Sequence, residues 1–220
     1  SPIGYREPGY LWKFPKKYIW GPVGGANNLD LRLINALDFP SKVKLVSRKL
    51  INCMQLRFSF RLRKALAATD VLLTSTTENQ KIFKEVLGID SIYIPENGTS
   101  GSYSGLDKPR IKSMTNRVNL IWIGTLESRK ALTILLQAFA NVNRQDFFHL
   151  NILGKGPLEE NLKVQAENFN LNQFITWHGH LKRSDVADLL QSSDLHVLTS
   201  LSEANTTVVW EAIQCGIPTI

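Results

Sequence analysis

Two charged pairs in the chain have types and spacings suited to a phosphorylated ligand. The first is Arg129-Lys130 in "GTLESRKAL", residues 124–132. The pair is expected just before or at the start of a helix, where the macrodipole disfavours cations. A guanidinium fork and an ammonium set against their local electrostatics answer to an anion such as a diphosphate, with backbone N–H groups assisting. The alternative is a solvated basic pair. The second is Glu203 and Glu211 in "SEANTTVVWEAIQCG". On one helix they would stand about 12 Å apart along the axis. The sequence instead places Glu203 in a loop and Glu211 in the second turn of a helix, with Asn205 or Thr206 as N-cap. The N–H groups of Asn205, Thr206 and Thr207 then lie between two carboxylates. Such a spacing suits a ligand with hydroxyls at both ends and a phosphate in the middle; the alternative is a loop acid and a surface helix acid.

A third stretch, "WGPVGGANN" at 20–28, resembles a phosphate loop only superficially. It lacks the Lys-Ser/Thr ending of a P-loop, and Gly21, Gly24 and Gly25 do not fit G-x-G-x-x-G. It reads as a turn after a strand. The histidines offer no metal spacing: His149 and His196 fall within strands, and His178 and His180 flank Gly179. Trp122, Trp177 and Trp210 read as core.

The elements that must position these residues alternate clearly in the second half. Strands at 118–124, 147–154, 174–179 and 195–200 are followed by helices at 130–143, 158–169, 183–193 and 206–215, and "PTI" begins a fifth strand. Short apolar runs alternating with helices imply βαβ units, a parallel sheet and ligands at the carboxyl ends of its strands. Gly124, Gly154 and Gly179 end three of those strands, and Thr199-Ser200 ends the fourth. Earlier in the chain, residues 1–14 read as irregular, 17–20 and 71–74 as strands, 78–87 as a helix stopped by Gly88, and 91–95 as a strand. Residues 41–68 read as one or two helices with Ser41 as N-cap. A Gly/Ser-rich connection opens at 96, and the units are drawn as 1–105, a linker at 106–116, and 117–220.

The 220 residues carry a formal net charge of +7, and 43% of them are hydrophobic. Eight cations fall between 41 and 69 without a single acid, so the rest of the chain sums to +7 − 8 = −1. Leu45, Leu50, Ile51, Met54, Leu56, Phe58, Phe60 and Leu62 interleave with them. The segment is either a core-facing helix with a solvated basic face or a peripheral patch for an anionic membrane. The basic stretch lacks the interleaved aromatic stacking pattern of a nucleic-acid surface, so no nucleic-acid partner is expected. No apolar run approaches a bilayer span and no signal-peptide pattern opens the chain. The two cysteines, Cys53 and Cys215, read as buried reduced thiols, and the location as cytoplasmic.

Taken together, the second unit resembles the donor-binding domain of glycosyltransferase family 4, the glycosyl transferases group 1, which have the GT-B fold. That family runs G-x-L-x-x-x-K-G after the first strand, G-x-G-P after the second, P-S-x-x-E after the fourth, and closes E-A-x-x-x-G-x-P. This chain has Gly124-Thr125-Leu126 with Arg129-Lys130, then Gly154-Lys155-Gly156-Pro157, Ser200 with Glu203, Glu211-Ala212 and Gly216-Ile217-Pro218. The resemblance implies an α/β, Rossmann-like donor domain behind a partial N-terminal acceptor-side domain. It implies a retaining enzyme that moves a sugar from a nucleotide-diphosphate sugar to a glycan or lipid-linked acceptor in polysaccharide biosynthesis, with no metal and no cofactor. Arg129 and Lys130 would neutralise the leaving diphosphate and Glu203 would hold the transferred sugar. Glu211 would bind the ribose, the amides from Asn205 to Thr207 the phosphate, and His180 and Leu181 would border the base. Gly24 and Gly25 would line the cleft. The E-G-F-G common in the family is Glu203-Ala204-Asn205-Thr206 here, which changes the contacts to the sugar. The resemblance covers a central piece of such an enzyme. A non-catalytic nucleotide-sugar-binding fragment, or another GT-B enzyme such as a sugar-nucleotide epimerase, is the alternative.

Overall fold

The computed structural model describes residues 3–27, 39–95, 117–201, 203 and 206–220. The expected linker at 106–116 and Asn205 lie outside the described residues. Two compact units form, one of residues 1–98 with 202–205 and one of residues 99–201 with 206–220.

The first unit holds a parallel sheet in the order β1 (Ile3–Gly4), β2 (Ile19–Gly24), β3 (Val71–Thr74), β4 (Ile92–Tyr93). Three sequence expectations are corrected here. Ile3–Gly4 is not irregular; it pairs with Val23 and Gly24, a short edge that only a distant partner defines. Nor is "GPVG" a turn: β2 runs on through Gly24, with an irregular register against β3 between Trp20 and Val23. Glycine is needed at 21 because a Cβ there would sit 2.4 Å from the Leu73 carbonyl oxygen. The strand ends at Gly24, and Gly25 after it takes a positive φ of 83°. Third, helix α1 (Phe39–Phe58) already includes Ser41 in its first turn, so Ser41 is not its cap.

Helix α2 (Phe60–Ala67) follows α1 after Ser59, whose hydroxyl accepts from the Leu62 N–H. Helix α3 (Thr77–Leu87) starts at the Thr76 cap and stops at Gly88, close to the bounds its sequence sets. The core of this unit gathers Tyr5, Trp20, Val23, Leu56, Leu62, Leu72 and Phe83. Among the described side chains of α1, only Asn52 and Leu56 are buried. Val43, Val46, Leu50, Ile51, Met54 and Phe58 are exposed, and so is Cys53, contrary to its reading as a buried thiol.

The second unit is a parallel sheet in the order β7 (Ile175–Gly179), β6 (Phe148–Leu153), β5 (Val118–Ile123), β8 (Leu195–His196). Strands β5 and β6 pair without interruption from Val118–Phe148 to Ile123–Leu153. Period-two alternation feeds both faces. Leu120, Trp122, Leu150 and Ile152 pack with residues of α4 (Leu132–Ala140) and α5 (Glu159–Asn168). Ile121 and Leu153 pack with residues of α6 (Arg183–Gln191) and α7 (Thr207–Gln214). The result is helix, sheet, helix.

The fourth strand is shorter than its apolar run: only Leu195–His196 is regular, although Val197 N–H still reaches the Ile121 carbonyl at 2.8 Å. Thr219 bridges to His196, which is where "PTI" joins the sheet. The helix expected from Lys130 begins at Leu132 instead. Ser128–Lys130 form a 3-10 turn and Ala131 takes a left-handed conformation, φ 47°. The cause is tertiary. An α-helix begun at Lys130 would hand the carbonyls of residues 129 and 130 to its own amides. Leu201 N–H and the Thr199 hydroxyl occupy them instead, at 2.9 Å each.

Candidate functional site

At the carboxyl end of the second sheet, backbone packs directly on backbone. Gly154 N–H donates to the Gly179 carbonyl at 2.7 Å, and Gly124 N–H to that of Leu153 at 3.0 Å. A Cβ on Gly154 would lie 1.8 Å from the Gly124 carbonyl oxygen, and the residue sits at φ +133°. Glycine there is thus required by the fold itself, whatever a ligand asks of it. Leu126 N–H donates to the Lys155 carbonyl at 3.1 Å, tying the loops after β5 and β6 into one ledge.

Arg129 and Lys130 stand on this ledge, in the 3-10 turn. Arg129 Nη2 donates to Glu127 Oε1 at 2.8 Å, an ion pair the sequence reading missed although the partners are two residues apart. Both side chains are about one-third exposed, so solvent screens the pair and leaves its net strength modest. A Cβ on Gly124 would lie 3.6 Å from Lys130 Cδ, which places the lysine stem against the β5 end. Behind the cations, Trp122 Nε1–H donates to Thr199 Oγ1 at 3.0 Å, and that hydroxyl donates to the Lys130 carbonyl at 2.9 Å.

Helix α7 has Thr206 at its N-cap position with extended φ and ψ, and no side-chain cap bond. Glu211 lies in its second turn, with a side chain only 15% exposed, and its Oε1 is 3.8 Å from Arg183 Nη2. Arg183, at the start of α6, is a second partner that sequence alone did not single out. Glu203 belongs to the segment that groups with the first unit, where its carbonyl accepts from Asn27 Nδ2 at 3.4 Å. The structure therefore brings Arg129 and Lys130 together on one turn and gathers Gly124, Gly154 and Gly179 at one edge. Glu203 groups with the other unit, as do Gly24 and Gly25.

After β7, His180 is exposed and Leu181 is half-buried against Ile121, Leu153 and Leu190. Leu181 also lines an open pocket of about 400 Å³ with His178, Asp185, Asp188, Leu189 and Ser192. His178 Nε2 is 2.8 Å from Asn151 Oδ1 and His149 Nε2 is 2.9 Å from Thr176 Oγ1. Burial lowers the pKa of both rings, and at His149 the nearby Arg117 charge adds to it. These two histidines serve cross-strand pairing. His196 is fully buried, its pKa lowered by desolvation to about 4. Trp122 is buried, whereas Trp177 and Trp210 are half-buried. Among the described residues, no group of three or more His, Cys, Asp or Glu is placed to hold a metal ion.

In the first unit, Gly24 ends β2 opposite Gly4, and the backbone at Ala26 is held by two buried asparagines. Ala26 N–H donates to Asn79 Oδ1 at 3.0 Å, and the Ala26 carbonyl accepts from Asn52 Nδ2 at 2.9 Å. Asn52 Oδ1 in turn accepts from the Tyr5 hydroxyl and from Arg6 Nη2. Of the basic segment, Lys44, Arg48, Arg57, Arg61, Arg63 and Lys64 are exposed. Arg61 lies over the Tyr10 ring at 4.7 Å and Lys64 over Phe60 at 4.5 Å. Tyr10, Leu11 and Phe14 are themselves exposed, so the basic and apolar surface extends beyond 41–69 into the N-terminal stretch.

The family model for glycosyl transferases group 1 matches residues 107–220. Among curated relatives, WcaL of Escherichia coli (strain K12), provisionally named a colanic acid biosynthesis glycosyltransferase, is 24% identical over 178 residues. That match covers 70% of this chain and 44% of WcaL, so the chain spans less than half the length of that relative. Among solved structures, WaaG, a glycosyltransferase involved in lipopolysaccharide biosynthesis, has a TM-score of 0.61 at 16% identity, covering 94% of this chain and 56% of WaaG. HepE of Anabaena, in complex with UDP and glucose, has a TM-score of 0.56 at 21% identity, covering 76% of this chain and 47% of HepE. At such identities the likeness is one of fold: an α/β protein with parallel sheets of the GT-B kind.

Proposed function

Because the chain belongs to the glycosyl transferases group 1 family, we propose that it is part of a retaining glycosyltransferase of polysaccharide biosynthesis. Its donor is a nucleoside-diphosphate sugar and its acceptor a glycan or lipid-linked sugar. The observation that carries this reading is the Ser128–Lys130 turn, which presents two cations at the carboxyl end of a parallel sheet. Departure of a diphosphate builds negative charge, and cations already in place stabilise it most as the bond breaks. Arg129 and Lys130 take that role in place of a metal ion. Glu211, half-buried and near Arg183, accepts from the ribose hydroxyls, and the amides at the start of α7 face the phosphate. Glu203 holds the transferred sugar, and His180 and Leu181 border the base. Gly24 and Gly25 line the acceptor side. The UDP and glucose bound by HepE, a protein of like fold, support a nucleotide-sugar donor.

No helix among the described residues is long and apolar enough to cross a membrane. We place the enzyme at the cytoplasmic membrane surface, docked through the basic and apolar face of α1 and α2. The exposure of those cations and of Leu50, Met54, Phe58 and Phe60 favours this over a core-facing helix.

Calorimetry with UDP and GDP, with and without EDTA, tests the donor reading in the full-length protein. Binding of one nucleotide, unchanged by EDTA, is expected. Arg129→Ala with Lys130→Ala should weaken the diphosphate by about ten- to a hundredfold per lost contact and barely affect the nucleoside. A strict magnesium requirement overturns the cation assignment.

A further inference from the structure

The Thr199 hydroxyl occupies a position that the proposed chemistry has not yet used. It accepts from Trp122 Nε1–H at 3.0 Å and donates to the Lys130 carbonyl at 2.9 Å. One oxygen thereby joins a side chain buried in the core at the end of β5, the loop that leaves β8, and the turn that carries both cations. Next to it, Leu201 N–H holds the Arg129 carbonyl at 2.9 Å. The carbonyls of both cationic residues are therefore fixed from a segment some seventy positions later in the chain. The family pattern P-S-x-x-E has proline where this chain has Thr199, and proline has no hydroxyl with which to make either bond.

We infer that Thr199 is a positioning residue: its hydroxyl, seated on the Trp122 indole, sets where Arg129 and Lys130 meet the donor's diphosphate. The inference rests on the donor reading above. The physical reason is directional. A hydroxyl that accepts one bond and donates another has its proton and a lone pair both committed, so it cannot rotate away. The turn is short, its 3-10 geometry is poor, and it is followed by the strained Ala131 at φ 47°. Two i→i−3 backbone bonds close the turn, and the Thr199 hydroxyl fixes the carbonyl of its last residue from outside it. Small displacements of cations matter, because charge-assisted contacts to phosphate are short and directional.

The test is calorimetry on the full-length protein with UDP and GDP as probes, each beside its nucleoside, for the wild type and for Thr199→Val, Thr199→Ser and Trp122→Phe. Thr199→Val keeps the branched shape and removes both bonds. It should weaken the diphosphate by about tenfold while the nucleoside stays within about twofold. Thr199→Ser keeps the hydroxyl and should bind as the wild type does. Trp122→Phe removes only the lower bond and should fall between the two. Thr199→Ala gives the same readout should valine not be accommodated. A role confined to stability would lower the melting temperature and leave the diphosphate-to-nucleoside ratio unchanged, which overturns the inference. An equal loss in Thr199→Ser and Thr199→Val overturns it too. A wild type that binds neither diphosphate defeats the donor reading, and this inference with it.

Discussion

His196 shows how far one buried group can tie stability to acidity. Its side chain is fully buried, Nδ1 is 3.2 Å from Thr219 Oγ1, and Nε2 has no hydrogen-bond partner among the described residues. Orphaning a lone pair is cheaper than orphaning an N–H, so the ring is assigned its proton on Nδ1, donating to Thr219. Desolvation lowers the ring's pKa from 6.5 to about 4. The folded value is depressed, so the neutral ring's contribution is whole above pH 6.5 and drains as pH falls through about 4. The loss between pH 7 and pH 4 is about 3 kcal/mol. Urea midpoints against pH should therefore fall more steeply for the wild type than for His196→Leu; parallel lines would show that the ring is not held neutral. The sequence foresaw this residue within a strand, because its apolar neighbours mark one. Its hydrogen-bond partner was not legible, since only the fold brings Thr219 beside it. The same holds for Glu211, recognisable by spacing, and for its neighbour Arg183, which only the fold brings near.

Among elements, the best-read ones carry their own punctuation. Helix α3 has its cap at Thr76 and its stop at Gly88, and the long β5 and β6 are marked by apolar-rich stretches that each end at a glycine. Elements defined by distant partners were misjudged. Ile3–Gly4 exists only through β2, and α4 starts late because Thr199 and Leu201 claim the carbonyls before it. At the end of β6, packing by itself demands the glycine at 154. Gly154→Ala places a methyl inside the contact distance of the Gly124 carbonyl and should cost about 3 kcal/mol or more. Gly216→Ala is the control: it too has a left-handed φ, +69°, but nothing within 4 Å of the new methyl, and should cost about 1 kcal/mol. Similar urea midpoints for the two variants would refute the backbone clash.

For the molecule as a whole, the charge is legible in sequence but its display is not. The eight cations of 41–69 are visible in the sequence; that they share their surface with Tyr10, Leu11, Phe14 and Phe58 is a matter of folding. The proposed docking on an anionic membrane rests on that display. Each Lys or Arg near such a surface contributes about 1 kcal/mol, so reversing Arg57, Arg61, Arg63 and Lys64 to Glu should lower vesicle binding by about a hundredfold or more. Cosedimentation of the full-length protein with vesicles of rising anionic fraction should show binding that grows with that fraction and fades with salt. Binding that survives the four reversals, or none at low salt, would reduce the segment to a solvated helix face.

Asn52 also governs the order in which the first unit can form. Its amide joins Tyr5, 47 positions earlier, to Ala26, 26 positions earlier, while Ala26 also waits on Asn79, 53 positions later. None of these bonds can form from a local segment. Closure of long loops precedes any return from the contacts they allow, so a junction of this kind assembles slowly and all at once. The stretch after β2 therefore takes its final shape only when Asn52 of α1 and Asn79 of α3 are both in place.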